Sequence, residues 1–467
     1  MEEHRQQKRK SDMKKIISLV LLAILTYSSS ALGQTVQKIT LQEAINIALE
    51  NNYLLKQAEN NLDLANKNII SEYADFLPSL SSSFSGSSGE GRTQIEVGDQ
   101  IRSINVVSNS LRGGVSGSIT IFNGFNNILT LRTSKTTKLS REESLQRAKE
   151  NVMFNTATRF LQVLLDVQLL EIAKENLVTS QKQLEQVQAQ VEVGSRPSVD
   201  LYNQEAQVAN DELSVTQREN SLKLNKLLLI RQLQIDPVKD YEFVNPISDI
   251  ENVSISFVDY NLQSLIDEAL LGRSDIKSEE LDIEGLKYQL LLTKARLIPT
   301  LSADFGISSS YADQRRFNGE PVSFGDQFWD REVGKSVGFS LNFPLFNNWN
   351  RISNIQSAQV NLKNAQLSLE NSELQVRQEV TQAFNDYTSY KKQLQASEKS
   401  KIASEKAFET QQERYNVGAS TLIELSQAQA NYVSAQSNFT QAQYNLIFQE
   451  KLLDFYLGKL SGETIEF

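Results

Sequence analysis

Apolar and small residues return at every seventh position through Ile355, Leu362, Leu369, Val376, Ala383 and Tyr390, with Ala358 and Ala365 beside them. Neither Pro nor Gly interrupts the chain between Trp349 and Gly418. The spacing predicts a coiled-coil seam on a helix of roughly 67 residues, about 100 Å long at ~1.5 Å per residue. A matching seam runs through Val163, Leu170, Leu177, Leu184 and Val191; after Val193-Gly194 it resumes at Leu201, Val208, Val215, Leu222 and Leu229. Beyond Val417-Gly418 the sevens continue through Leu425, Tyr432, Phe439, Leu446 and Leu453, with Ala428, Ala435 and Ala442 alongside. Each half of the chain therefore predicts a long helix, a turn and a shorter helix. Gly194 and Gly418 suit the left-handed residue that closes a helix, and Pro197 suits the first turn of the next. Thr421-x-x-Glu424 has the form of a capping box.

Elsewhere the period changes. Thr40-Leu-Gln-Glu43 is another capping box, predicting a helix to about Phe76, before Pro78. Then Leu80, Ser82, Phe84 and Gly86 alternate with serines, and Val115, Gly117, Ile119 and Ile121 alternate with Ser116, Ser118 and Thr120. These predict two strands of about ten residues around a polar loop from Ser87 to Arg112. Apolar residues on one face and small polar ones on the other fit a membrane barrel strand or a half-buried hairpin.

The pattern occurs twice. Leu41 to Ser81 aligns without a gap on Leu262 to Ser302 at an offset of 221, with Leu41/Leu262, Gln42/Gln263, Ala48/Ala269, Lys56/Lys277, Pro78/Pro299 and Leu80/Leu301 identical. The same offset pairs Gly117 with Gly338, Phe122 with Phe343 and Phe125 with Phe346. One unit has been duplicated. In the second copy Leu301, Ala303, Phe305 and Ile307, then Val337, Phe339, Leu341 and Phe343, flank a loop from Tyr311 to Lys335. The predicted organisation is a first repeat over 34–233, a connector over 234–261 with strand-like pieces Tyr241–Val244 and Val253–Phe257, a second repeat over 262–457 and a tail over 458–467.

Lys8, Arg9, Lys10, Lys14 and Lys15 precede the apolar run Ile16 to Leu25, and Ala31-Leu32-Gly33 offers a cleavage site, so residues 1–33 read as a secretory signal, with Met1 or Met13 as the start. The apolar run falls short of the ~18–20 residues of a membrane span. Without Cys, neither disulfides nor a lipid-bearing Cys hold the protein in place. Loss of the signal takes away six basic and three acidic residues, which leaves the mature chain at −13 and disfavours nucleic acid as a partner. The single His, His4, leaves with the signal, and with it the usual metal and nucleophilic chemistry. The sequence points to no catalytic, cofactor or metal site. The lone mature methionine, Met153, argues against a dedicated path for soft metals.

Four strands cannot close a barrel, and an open edge in lipid strands backbone groups at several kcal/mol each. Three chains of four strands would give a 12-stranded barrel, within the known size range. The signal, the duplication, the strand pairs ending in Phe122-Asn-Gly-Phe125 and Phe343-Pro-Leu-Phe346, and the two Val-Gly turns resemble the TolC family of outer-membrane efflux proteins, over essentially the whole mature chain. The resemblance implies a mainly α fold with membrane β: a homotrimer with a 12-stranded barrel in the outer membrane and a hollow coiled-coil tube in the periplasm. Its implied partners are a periplasmic adaptor and an inner-membrane transporter, for which it would be the exit duct in efflux or type I secretion. It also implies that Val193, Gly194, Val417 and Gly418 meet the adaptor.

The family's entrance resembles Tyr-x-Val-Gly-x-Arg-x-x-x-Asp-x-x-Asp in the second hairpin. Tyr415, Val417, Gly418 and Glu424 match, with Glu for Asp, and Asp200 matches the acid of the first hairpin. Ser420 and Gln427 depart, so the family's Arg–carboxylate closure is not available in that form. Glu424 reads either as one third of a carboxylate ring favouring cations or as the cap of its own helix, and Asp200 as a gate residue or an acid at a helix N-terminus. Phe122, Phe343 and Trp349 are candidates for the lipid interface, whereas Trp329 falls in an external loop. Two other readings compete: a structural or adhesive coiled-coil protein of the envelope, and a carboxylate enzyme on a barrel. The duplicated strand pairs favour the duct.

Overall fold

The computed structural model describes residues 37–97, 99–244 and 259–459. The expected signal, the strand-like piece Val253–Phe257 and most of the tail lie outside these. Each repeat opens with a broken helix: α1 (Leu41–Asn51) and α2 (Tyr53–Ala74) in the first, α5 (Leu262–Gly272) and α6 (Ser274–Ala295) in the second. The sequence pattern predicts one continuous helix here. Asn52 ends α1 with φ −60° and ψ 123°, and its side-chain oxygen accepts from the Leu54 and Leu55 amides to start α2. Such local bonding lets Asn leave the helical ladder. Arg273, the equivalent position at the offset of 221, adopts φ −69° and ψ 126°. The break is thus part of the duplicated unit.

Strands β2 (Ser79–Val97) and β3 (Gln100–Phe122) pair without slip from Val97↔Gln100 to Ser79↔Ser118. The stretch expected as a polar loop is therefore ladder, since serine and glycine fit extended backbone but leave no apolar alternation to read. The second repeat adds β5 (Thr300–Ala312) and β8 (Gly334–Asn342), making one antiparallel sheet in the order β2-β3-β5-β8 with β2 and β8 at open edges. Leu80, Gly117, Phe305 and Val337 share one row; Ser81, Ser116, Gly306 and Ser336 share the next. One face is accordingly apolar and the other small and polar. A Cβ on Gly117 would lie 2.4 Å from the Phe305 ring, so this glycine makes room for the neighbouring strand's aromatic. Between β5 and β8 sit a small hairpin, β6 (Arg316–Phe317) with β7 (Glu320–Pro321), a helical turn α7 (Phe324–Asp326) and a π turn Gln327–Arg331.

The sheet feeds two helices of 67 residues each, α3 (Asn126–Glu192) and α8 (Asn350–Asn416). They start from left-handed residues, Phe125 (φ 69°) and Trp349 (φ 64°). From the helices onward the two repeats match at an offset of 224, because the second copy carries a longer strand-to-helix linker. The return helices are α4 (Ser198–Leu233) and α9 (Leu422–Tyr456). In each half the two short helices share one long helix, and α3 also packs against α6 and α9, which interlocks the repeats. β1 (Gln37–Ile39) and β4 (Tyr241–Phe243) form a short parallel pair beside this junction.

The core sits where these helices meet. Phe160 is fully buried among Ile39, Ile45, Leu229, Leu233 and Phe243, and a second cluster gathers Leu265, Ile266, Ala269, Val380, Leu446 and Leu453. Ala48 and Ala269, repeat partners, are both 0% exposed. A charged network crosses the junction. Arg273 donates to both oxygens of Asp275 (3.0 and 2.6 Å) and to Glu379 (2.6 Å), while Arg147 reaches Asp275 (3.5 Å) and the buried Glu150 (3.2 Å). Burial opposes ionisation of Asp275, but the bonds from Arg273 and the charge of Arg147 outweigh it and hold the carboxyl below its usual range.

Two outcomes follow for this junction. Replacing Arg273 by Leu takes the cation from Glu379 and leaves Asp275 with Arg147 alone, and is expected to lower stability by about 1.5–3 kcal/mol, measured by denaturant unfolding. Because the folded pKa of Asp275 is depressed, its contribution is present above the ordinary Asp range and is lost as pH falls through the folded value. An acid titration of the Asp275→Asn variant, already lacking that contribution, should show a flatter stability curve than the parent.

Candidate functional site

The far ends of the helical hairpins bring together most of the residues singled out by the sequence. At the first turn Gly194 (φ 73°) donates to the Val191 carbonyl and Ser195 to that of Gln190, both at 2.9 Å. At the second, Gly418 (φ 77°) donates to Tyr415 at 3.0 Å and Ala419 to Arg414 at 2.8 Å. Both are paired closures around a left-handed residue. A Cβ at either glycine would meet nothing, so the positive φ, and not crowding, selects glycine. Pro197 stands at the N-cap of α4, one residue ahead of its expected place in the first turn. Val193 and Val417 are 79% and 80% exposed, so each turn bares an apolar side chain.

Behind the tips a small cluster of Val187, Tyr415, Leu422 and Leu425 joins the two hairpins. Tyr415, from α8, is 3% exposed, and the Arg196 guanidinium from the first turn lies over its ring at 4.1 Å. Arg196 also bonds Asp200 one helical turn on, at 3.4 Å. Burial raises the Tyr415 pKa; Arg196 opposes the rise and Asp200 adds to it. Its hydroxyl is buried without a hydrogen-bond partner among the described residues, so the ring makes the contact that matters.

Arg196 was not among the residues expected from the sequence. At the offset of 224 it is the counterpart of Ser420, and Asp200 that of Glu424. The arginine missing from the second hairpin thus stands in the first, a signal visible on laying one hairpin over the other. Tyr415 and Asp200 meet through it. Glu424 has different company. Its carboxylate accepts from Ser420 (2.7 Å), from the Thr421 amide (3.1 Å) and from Gln411 (3.3 Å), while its own amide donates to Thr421. The Ser420 hydroxyl and the Thr421 amide hold its pKa below the usual range. The capping box is therefore formed, with the exposed carboxylate fixed beside the tip.

At the other end, Phe122 and Phe125 make an edge-to-face pair at 5.5 Å where β3 gives way to α3. Phe343 is 57% and Trp349 66% exposed at the corresponding exit of β8. No helix among the described residues is long and apolar enough to cross a membrane.

An open four-stranded sheet with an apolar face, set on paired helices about 100 Å long, defines a membrane-anchored helical conduit. The sequence matches the family described as outer membrane efflux protein over residues 44–233 and 265–459, and the chain belongs to that family. No curated protein matches it significantly in sequence. Among solved structures, the CmeC outer membrane channel of Campylobacter jejuni is similar with a TM-score of 0.76 at 18% identity, over 90% of this chain and 85% of that one. The open-state MtrE outer membrane channel of Neisseria gonorrhoeae gives 0.72 at 18%, over 90% and 88%. CusC, described with the conformational changes that accompany its folding and transmembrane channel formation, gives 0.75 at 19%, over 90% and 92%. The fold is TolC-like, and the protein is an outer-membrane exit duct of efflux systems that extends into the periplasm.

If the Tyr415 ring is the working part, Tyr415→Phe should leave amide exchange around the first turn unchanged, whereas Arg196→Ala should speed it in residues 187–201. Mass-spectrometric hydrogen exchange on the purified protein checks both.

Proposed function

We propose that three copies close into one duct, that its helical tips receive a periplasmic adaptor coupled to an inner-membrane transporter, and that Arg196 latches the entrance. The observation that carries the reading is the four-stranded sheet with β2 and β8 unpaired at its edges. Edges in hydrocarbon need partners, and three sheets supply them in a barrel of about twelve strands. The small polar face, Ser81, Ser116 and Ser336 among it, then lines the lumen, and the apolar face meets outer-membrane lipid, with Phe122, Phe343 and Trp349 at its periplasmic rim.

Exposed Val193 and Val417, each beside a rigid glycine turn, support the adaptor contact: two apolar knobs per chain on a fixed frame suit a helical partner. The latch reading rests on Arg196, which ties the first hairpin to the second through the Tyr415 ring while Asp200 holds it in place. A desolvated cation–π contact is worth about 2 kcal/mol, enough to bias an entrance yet small enough for a docked partner to overcome. Three Glu424 carboxylates near the tip would give the narrow opening a preference for cations. The duct performs no chemistry of its own, and its substrate is chosen by the transporter it serves.

Single-channel recording in planar bilayers, with native mass for the oligomer, tests the reading. The expected result is a trimer with small cation-selective steps, larger steps in Arg196→Ala, and weaker cation preference in Glu424→Gln. A chain that stays monomeric and never conducts would overturn the trimeric duct. Unchanged steps in Arg196→Ala would remove the latch and leave the duct.

A further inference from the structure

The loop between β5 and β8 does not stand over the end of the sheet. It folds back onto the apolar face. Phe328 is 5% exposed, and its ring lies where a Cβ on Gly113 would come within 2.9 Å. Gly113 shares its face with Gly117, whose missing side chain is filled by Phe305 and Leu80, so Phe328 sits on the side that carries those residues. From β5, the Ser309 hydroxyl donates to the Phe328 carbonyl at 2.6 Å.

The fold-back is pinned. Gln327, 1% exposed, accepts from the Ala312 amide at 3.0 Å and donates to the Ala312 and Val322 carbonyls at 3.1 and 3.0 Å. Arg315 pairs with Glu332 across the base of the loop, and Asp313 accepts from Asn109 of β3. Held this way, Phe324 and Phe328 stack at 5.2 Å and Trp329 meets Phe328 edge-on at 5.1 Å. Arg331 lies 4.2 Å over the Phe317 ring. Trp329 remains 72%, Phe317 54% and Phe324 43% exposed.

Height decides what these rings face. From the Leu301 row to Ser309 the strand rises about 26 Å at ~3.3 Å per residue, or about 20 Å of membrane depth at the tilt of roughly 40° usual in barrels. Trp349 lies below the Leu301 row and Trp329 at the Ser309 row. The chain's two tryptophans thus bracket a span close to the ~25 Å apolar band of membrane barrels. Above it, the outward positions of β2 turn polar, with Ser88, Glu90 and Arg92.

We infer that residues 313–333 form a lipid seat: Phe317, Phe324 and Trp329 rest in the headgroup–acyl boundary of the outer leaflet, continuous with the lipid-facing sheet. Aromatic rings with a polar edge suit that boundary, and Arg331 over Phe317 offers a cation at phosphate depth. The segment that could have served as a cap over the mouth is thereby committed to the bilayer.

The test uses the full-length protein with one tryptophan, Trp349→Phe, in vesicles of phosphatidylcholine brominated either near the glycerol or near the chain end, read only on protein that floats with the vesicles. Trp329 emission should be blue-shifted, lost more to bromine near the glycerol than at the chain end, and shielded from aqueous acrylamide. Emission that bromine at either depth leaves intact and acrylamide quenches, while the companion Trp329→Phe protein loses its Trp349 emission in the same lipid, would place the loop in water and overturn the seat.

Discussion

Hydrocarbon offers no partner to a peptide group, and that single constraint governs the molecule. A sheet of four strands with open edges has no stable life in a bilayer by itself. Its apolar face demands lipid, and its edges demand other strands. In the proposed trimer, closure by copies of the same chain answers the edges' demand, turns the apolar face to lipid and sets a threefold axis along the duct. In that assembly the long helices share the axis, since α3 follows β3 after three residues and α8 follows β8 after seven, each entered through a left-handed residue. Membrane chemistry at one end would thus set the symmetry of a tip about 100 Å away.

The helical part obeys a different logic. Its seams are narrow, and several core positions are alanine or polar, such as Ser140, Ser180 and Gln204, all 0% exposed. Ser180 donates to Asp211 at 2.5 Å and Gln204 donates to the Ser180 carbonyl at 3.0 Å. Buried polar bonds of this kind specify register between helices whose apolar stripes alone would tolerate sliding by a heptad. The junction network of Arg273, Asp275, Arg147 and Glu150 serves the same end where four helices meet.

Much of this was legible in the sequence because it rests on local rules repeated many times. A heptad seam sustained through Ile355 to Tyr390 has few alternatives, and Gly194 and Gly418 mark turns because only glycine enters φ near 75° at little cost. The TolC resemblance added the trimer and the partners that residue patterns alone do not supply. Other features escaped for identifiable reasons. Ser87 to Gln94 carries no apolar residue, so the continuation of the strand was invisible. The break at Asn52 depends on a side chain choosing its own backbone neighbours, a choice unmarked by Pro or Gly. Arg196 escaped because the entrance pattern expects only an acid in the first hairpin, met by Asp200, and places its Arg in the second. The fold-back of the β5–β8 loop turns on one buried amide, Gln327, whose partners are set by tertiary structure.

The duplicated halves are alike in backbone and unlike in charge. The first turn carries Arg196 and Asp200, the second Ser420 and Glu424, on hairpins of nearly equal length. A ring of six equivalent hairpins would have to open like an iris, every blade moving together. Here alternate blades differ. In the proposed trimer one hairpin of each chain would supply the clasp, Arg196, and the other the ring it grips, Tyr415, so the aperture would widen by three blades swinging against three that stay still. An arginine present in the first turn and absent from the second, where Ser420 stands, would then separate the moving parts from the stationary ones.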